Sequence, residues 1–218
     1  MTRVRADDYD SKKRTILDHA AALFASKGFD GTTMVDVANA CGASKSHLYH
    51  YFPGKEDLLF AVVHEHITEQ VAELMAIATR PLPAEQRFSL FVGAFVQRSA
   101  RSRNEHLILM HDLKYLPEAQ RQRIREQEAQ LVDLVVSLLR EINPALMAPV
   151  KVRTPYAMLL FGMIIWTFTW YQASGTITPA ELAQRIAHLF VHGFQDSGDP
   201  LASGPLSAAA PPPAARGR

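Results

Sequence analysis

Apolar residues recur at helical spacing along almost the whole chain, and no alternation of strands with helices interrupts them. Ile16, Ala20, Leu23 and Phe24 form one stripe, closed at Lys27-Gly28, where glycine supplies a left-handed cap residue. Thr33 stands as an N-cap with Asp36 three residues on, a short-acid variant of the capping box. It opens a brief helix over 34–40, carried by Met34, Val37 and Ala38. After Cys41-Gly42-Ala43, Ser44 caps a second short helix over 45–50. Phe52-Pro53-Gly54 breaks the chain, and Glu56 and Asp57 then occupy the first turn of a longer helix, where the macrodipole favours acids.

That helix is expected to run to about residue 79, and Arg80-Pro81-Leu82-Pro83 marks a change of unit. Phe88, Phe91, Val92, Phe95 and Val96 make the next apolar stripe, followed by a short helix over 105–114. Pro117 opens a long helix, polar in its first half and burying Leu131, Val135, Leu138, Leu139 and Ile142 in its second. Thr154-Pro155 and Thr178-Pro179 both read as an N-cap followed by a first-turn proline, and Glu181 completes a capping box with Thr178. These open two last helices, one rich in aromatics and one with Leu182, Ile186, Leu189 and Phe190. From Asp196 the composition turns to Ser, Gly, Ala and Pro, the mark of a disordered tail. The expectation is an all-α chain with a three-helix head over 1–55, a helical body over 56–195 and a tail over 196–218.

Composition narrows the function classes. A net charge of +1 on 218 residues means that any nucleic-acid-binding face must be local. A single cysteine excludes an internal disulfide framework and, with a first segment rich in Arg, Asp and Lys that lacks an apolar signal core, fits a cytoplasmic protein. The most apolar stretch, residues 157–171, is shorter than the roughly 20 residues a membrane span needs, so no membrane association is expected.

Two short helices joined by a glycine-containing turn are the signature of the helix-turn-helix, whose second helix presents its N-terminal side chains to the major groove. The second helix here reads Ser-Lys-Ser-His-Leu-Tyr-His-Tyr, with Leu48 and Phe52 on the packing side. Lys45, Ser46, His47, Tyr49 and His50 lie mostly on the other side, as hydrogen-bond donors with little acid among them. Lys55 follows at the next helix start, where its charge and backbone N–H groups suit a phosphate. The run Ala21, Leu23, Phe24, Gly28, Phe29, Thr32-Thr33, Asp36-Val37-Ala38, Gly42-Ala43-Ser44 and Leu48 to Leu58 resembles the head of TetR/AcrR-family regulators, over about a quarter of the chain. The resemblance implies a ligand-responsive repressor that binds an operator in double-stranded DNA. It also implies a homodimer formed through the last two helices and an effector-binding body. Thr33 would then cap the positioning helix and touch phosphate, Ser44 would cap the recognition helix, and Lys45, Ser46 and His47 would read bases. Tyr49, His50 and Lys55 would hold phosphates, and Arg3 and Arg5 could form an arm to the DNA. Cys41 stands where a small residue usually precedes the turn glycine, as a buried turn residue or a redox sensor.

The body offers candidate effector chemistry. Phe88, Phe91, Phe95, Met110, Trp166 and Trp170 are candidate pocket residues, although a single aromatic helix must also direct some rings elsewhere. Arg98, Arg101, Arg103, Lys114, Arg121, Arg123 and Arg125 form either a basic mouth for the phosphates of an acyl-CoA or a solvated face. A multidrug-sensing efflux-pump repressor is the alternative, and its cationic ligand would need an acid among the aromatics, for which Asp112 is the candidate. Another alternative is a helical enzyme or interaction protein carrying this head. No nucleophile motif or glycine-rich phosphate loop supports an enzyme, and no cofactor is expected. His188 and His192 have the i, i+4 spacing of a zinc pair, but no sequence-near ligand completes a site, so no metal is expected and a surface or interface role is the better reading.

Overall fold

The computed structural model describes the backbone of residues 2–172 and 174–195, and the side chains from 9 to 193 other than 168 and 173. The tail at 196–218 and the side chains of Arg3 and Arg5 lie outside the described residues. Among those described, every regular element is helical. The head comprises α1 (Thr2–Lys27), α2 (Met34–Ala40) and α3 (Lys45–Tyr51). The body comprises α4 (Lys55–Ala78), α5 (Ala84–Arg101), α6 (Arg103–His111), α7 (Glu118–Ile142), α8 (Val150–Ile165), α9 (Thr167–Trp170) and α10 (Pro179–Gln195).

Local chemistry sets the head. α1 stops where Gly28 takes φ +75°, and the turn between α2 and α3 passes through Gly42 at φ +63°, a conformation that a side chain would strain. Thr33 and Asp36 form a complete capping box at the start of α2. The Ser44 hydroxyl accepts the His47 N–H at 3.1 Å and caps α3. Ile16, Leu17, Ala20 and Phe24 from α1 join Val37 and Ala38 from α2 in one core. Leu48 is the buried residue of α3 and is fully enclosed, so that short helix is oriented by one apolar anchor.

α4 is the spine of the molecule. Its 24 residues span about 36 Å, and its buried positions, from Leu58 to Ala78, recur every three or four residues as one broad stripe. The expected division at residue 55 therefore falls at the first turn of a continuous helix that serves both units. α4 packs against α1, α5 and α7, and α5 buries Phe88, Phe91, Val92, Phe95 and Val96 beneath α10. Leu182, Ala183, Ile186, Ala187 and Val191 are the buried face of α10, which starts at a complete Thr178–Glu181 capping box.

Three elements differ from the sequence pattern. α8 begins at Val150 and carries Pro155 inside it, whereas Thr154-Pro155 reads as a cap. Arg153 donates to the Met147 and Ala148 carbonyls at 3.1 and 3.0 Å, tying the extra turn to the preceding loop. The aromatic stretch breaks at Trp166, where the Thr167 hydroxyl donates to the Ile164 carbonyl at 2.6 Å and competes with the helical ladder. The short helix expected over 105–114 divides into α6 and a 3-10 turn, Leu113–Tyr115.

Candidate DNA-binding head and effector groove

α3 projects a polar surface from its buried anchor. Lys45, Ser46, His47, Tyr49 and His50 are all exposed around buried Leu48. The Lys45 ammonium lies 5.7 Å from the Tyr49 ring centroid, so the two occupy one side of the helix. Tyr51 turns inward, with its ring stacked on Tyr9 of α1 at 4.6 Å and edge-on contacts from His47 and His50. Thr33 is exposed at the start of α2, but its hydroxyl donates to the Asp36 carboxylate at 2.6 Å and accepts the Asp36 N–H. These bonds from Thr33 hold the Asp36 carboxyl below the usual carboxylate range. An array of donors on a short, capped helix that follows a glycine turn suits contact with base edges and phosphates.

Lys55, expected at a phosphate, has partners of its own within the head. Its ammonium donates to the Phe29 and Thr32 carbonyls at 2.8 and 3.0 Å and lies 4.2 Å from the Phe29 ring centroid. Lys55 ties the α1–α2 loop to α4 through these backbone carbonyls.

Cys41 is half-buried, and burial pushes its thiol pKa up. A thiol held protonated suits a turn residue better than a redox sensor.

In the body, the six candidate pocket residues do not converge. Phe88, Phe91 and Phe95 are fully or almost fully buried: Phe88 stacks on Phe190 at 5.6 Å, and Phe95 meets Phe161 at 5.7 Å. Phe88, Phe91 and Phe95 are core, which corrects their assignment to a ligand pocket. Met110 and Trp166 are 48% and 67% exposed and face away from that core, a second correction. Trp170 lines a groove of about 560 Å3 bounded by Val96, Ser99, Arg103, Thr167, Trp170 and Leu182 among others. Ser99 was missed, although it stands three and four residues beyond Val96 and Phe95 and so continues the buried stripe of α5. Its buried hydroxyl has no hydrogen-bond partner in the protein.

Three of the seven cations of the supposed basic mouth are held in ion pairs. Arg98 pairs with Glu69 at 2.8 Å and Glu73 at 3.5 Å, while Arg121 and Arg125 both pair with Glu118. Arg103 remains at the groove. Asp112, the acid a cationic drug would need, is half-buried and its pKa is raised by that burial. His188 and His192 bring their rings to 4.1 Å, yet among the described residues no group of three or more His, Cys, Asp or Glu is placed to hold a metal.

A helix-turn-helix head continuous with a helical, grooved body defines a DNA-binding transcriptional regulator. Residues 16–62 match the family model described as bacterial regulatory proteins, tetR family, and residues 81–194 match the tetracyclin repressor-like C-terminal domain. A TetR-family transcriptional regulator of Bordetella parapertussis 12822 is 35% identical, with a TM-score of 0.77 over 82% of this chain and 93% of that one. AibR, solved in complex with isovaleryl coenzyme A and operator DNA, is 25% identical with a TM-score of 0.72, over 82% and 97% of the two chains. The transcriptional repressor KstR2 of Rhodococcus jostii strain RHA1 is 24% identical over 200 residues, covering 89% of this chain and 98% of that protein. The chain belongs to the TetR family of bacterial transcriptional regulators. It is a ligand-responsive, DNA-binding repressor, and the multidrug-sensor and enzyme alternatives are not favoured. Among the described residues no helix is long and apolar enough to cross a membrane.

Proposed function

We propose that this repressor acts in the cytoplasm as a homodimer, is not an enzyme, and leaves its operator when an acyl-CoA or a related acyl anion binds. The groove lined by Ser99, Arg103 and Trp170 supports the ligand class best. Val96, Leu182 and Trp170 offer apolar surface to an acyl chain, the unpartnered Ser99 hydroxyl suits a carbonyl, and Arg103 suits an anion. AibR, with its bound isovaleryl coenzyme A, agrees with that chemistry.

Exposed apolar side chains on α8 and α10 support the dimer: Met158, Leu159 and Trp166 are 54%, 61% and 67% exposed, and Leu189 is 66% exposed. On two packed helices, such residues read as an interface surface. In this reading Lys45, Ser46 and His47 face base edges, while Thr33, Tyr49 and His50 face phosphates.

Footprinting the DNA that flanks the protein's own gene, with and without a panel of acyl-CoAs, tests the proposal. Protection of a palindrome-like site, released by one thioester, is expected. Protection that no thioester disturbs would discard the acyl-CoA class.

A further inference from the structure

The head touches the body at more than the shared helix α4: α1 packs against α6, and the loop after α1 meets the turn that follows α6. The 3-10 turn Leu113–Tyr115 lies directly behind α6, and its last residue reaches the loop between α1 and α2. The Tyr115 hydroxyl donates to Asp30 Oδ2 at 2.7 Å. Its ring stacks on Phe29, with centroids 4.6 Å apart and planes 25° apart. Phe29 is buried and also carries the Lys55 ammonium near its ring and on its carbonyl. Each partner comes from a different part of the molecule: Tyr115 from the body, Phe29 and Asp30 from the head loop, and Lys55 from the start of α4.

α6 connects this cluster to the groove. Arg103, its first residue, lines the groove, and the helix carries the chain through nine residues, about 13 Å of rigid rod, before the turn that bears Tyr115. Along the way α6 packs against α1 and α4. A displacement at Arg103 has a short path along α6 to the turn that meets Asp30.

We propose that Tyr115 is a positioning residue through which the effector domain holds the α1–α2 loop of the DNA-binding head. It latches the Phe29–Asp30 loop to the turn behind α6, so that a shift of α6 reaches that loop directly as well as through α1 and α4. The direction of the signal rests on the effector reading of the groove, whereas the latch is a property of the ligand-free chain. One hydrogen bond to a carboxylate and one stacked ring pair form a contact weak enough for an effector's preference between two states to open.

Hydrogen exchange on the full-length, ligand-free protein tests the latch. In Tyr115→Ala, amides of residues 28–43 are expected to exchange about tenfold faster, with α5 and α7 unchanged. Tyr115→Phe, which keeps the stack and loses the hydroxyl, is expected to fall between. Asp30→Asn retains an acceptor oxygen and should stay near the parent, while Asp30→Ala should follow Tyr115→Phe. Because Asp30 is exposed, the Asp30 pair decides the matter even if Tyr115→Ala does not fold. Unchanged exchange over 28–43 overturns the latch, as does acceleration spread equally over α5 and α7. A footprint indifferent to the whole panel of acyl-CoAs, combined with the expected exchange pattern, would remove the ligand class and leave the latch standing.

Discussion

Two lysines near the candidate DNA surface have opposite surroundings, and substitution should separate their roles. Lys45 is exposed on the first turn of α3, where a recognition helix meets base edges. Lys45→Ala is expected to relax preference at one operator position by about 1–3 kcal/mol, read by competition binding across single-base variants. Lys55 instead holds two loop carbonyls and the Phe29 ring. Lys55→Ala is therefore expected to cost the fold about 1–3 kcal/mol in urea unfolding, since hydrogen bonds to charged groups are lost. Its salt dependence of DNA binding should stay that of the parent. A flattened slope with unchanged stability would return Lys55 to the phosphate-binding set. The sequence assigns Lys45 to a base and Lys55 to a phosphate, but it does not show the carbonyls that hold Lys55. Phe29 and Thr32 lie more than twenty residues from Lys55, and only folding brings their carbonyls to it.

At the scale of elements, legibility followed how local the signal was. The caps at Thr33 and Thr178 and the left-handed Gly28 are residue types at fixed short spacing, and the structure has each of them. The start of α8 was misread because Thr154-Pro155 is a stronger local signal than Pro149-Val150, while tertiary contacts of Arg153 support the extra turn. The burial of His66 in the middle of α4 was equally invisible, since it depends on what surrounds the helix. Burial, reinforced by Arg98 and His106, lowers the His66 pKa to about 4. The unfolded chain, with an ordinary histidine near 6.5, then binds the extra proton first, so stability is full above about pH 6.5 and falls as the pH drops toward 4. From pH 7 to pH 5 the loss is expected to be about 2 kcal/mol, measured by urea unfolding. His106, also buried and with a lowered pKa, adds in the same direction. His66→Gln should reduce the slope, and an unchanged slope would assign the acid sensitivity elsewhere.

At the scale of the whole molecule, the repressor reading requires two heads about 34 Å apart, one turn of DNA, and a single chain supplies only one. The pattern of apolar positions announced helices 8 and 10, but not which of their residues the monomer leaves uncovered, because exposure is decided by how α5 and α7 cover them. The structure leaves Leu159 on α8, Trp166 at its C-terminal end and Leu189 on α10 in solvent, an arrangement that a partner copy would bury. Leu159→Glu places a charge on that surface without touching the monomer's core, so helicity should be retained while light scattering reports a monomer. Operator affinity should then fall much further than any single head contact explains. Joining two weakly binding heads converts the second contact into an intramolecular one, worth about 10²–10⁴ in apparent affinity. Loss of operator binding with the dimer intact would put the defect in the heads, and a stable Leu159→Glu dimer would move the interface off α8.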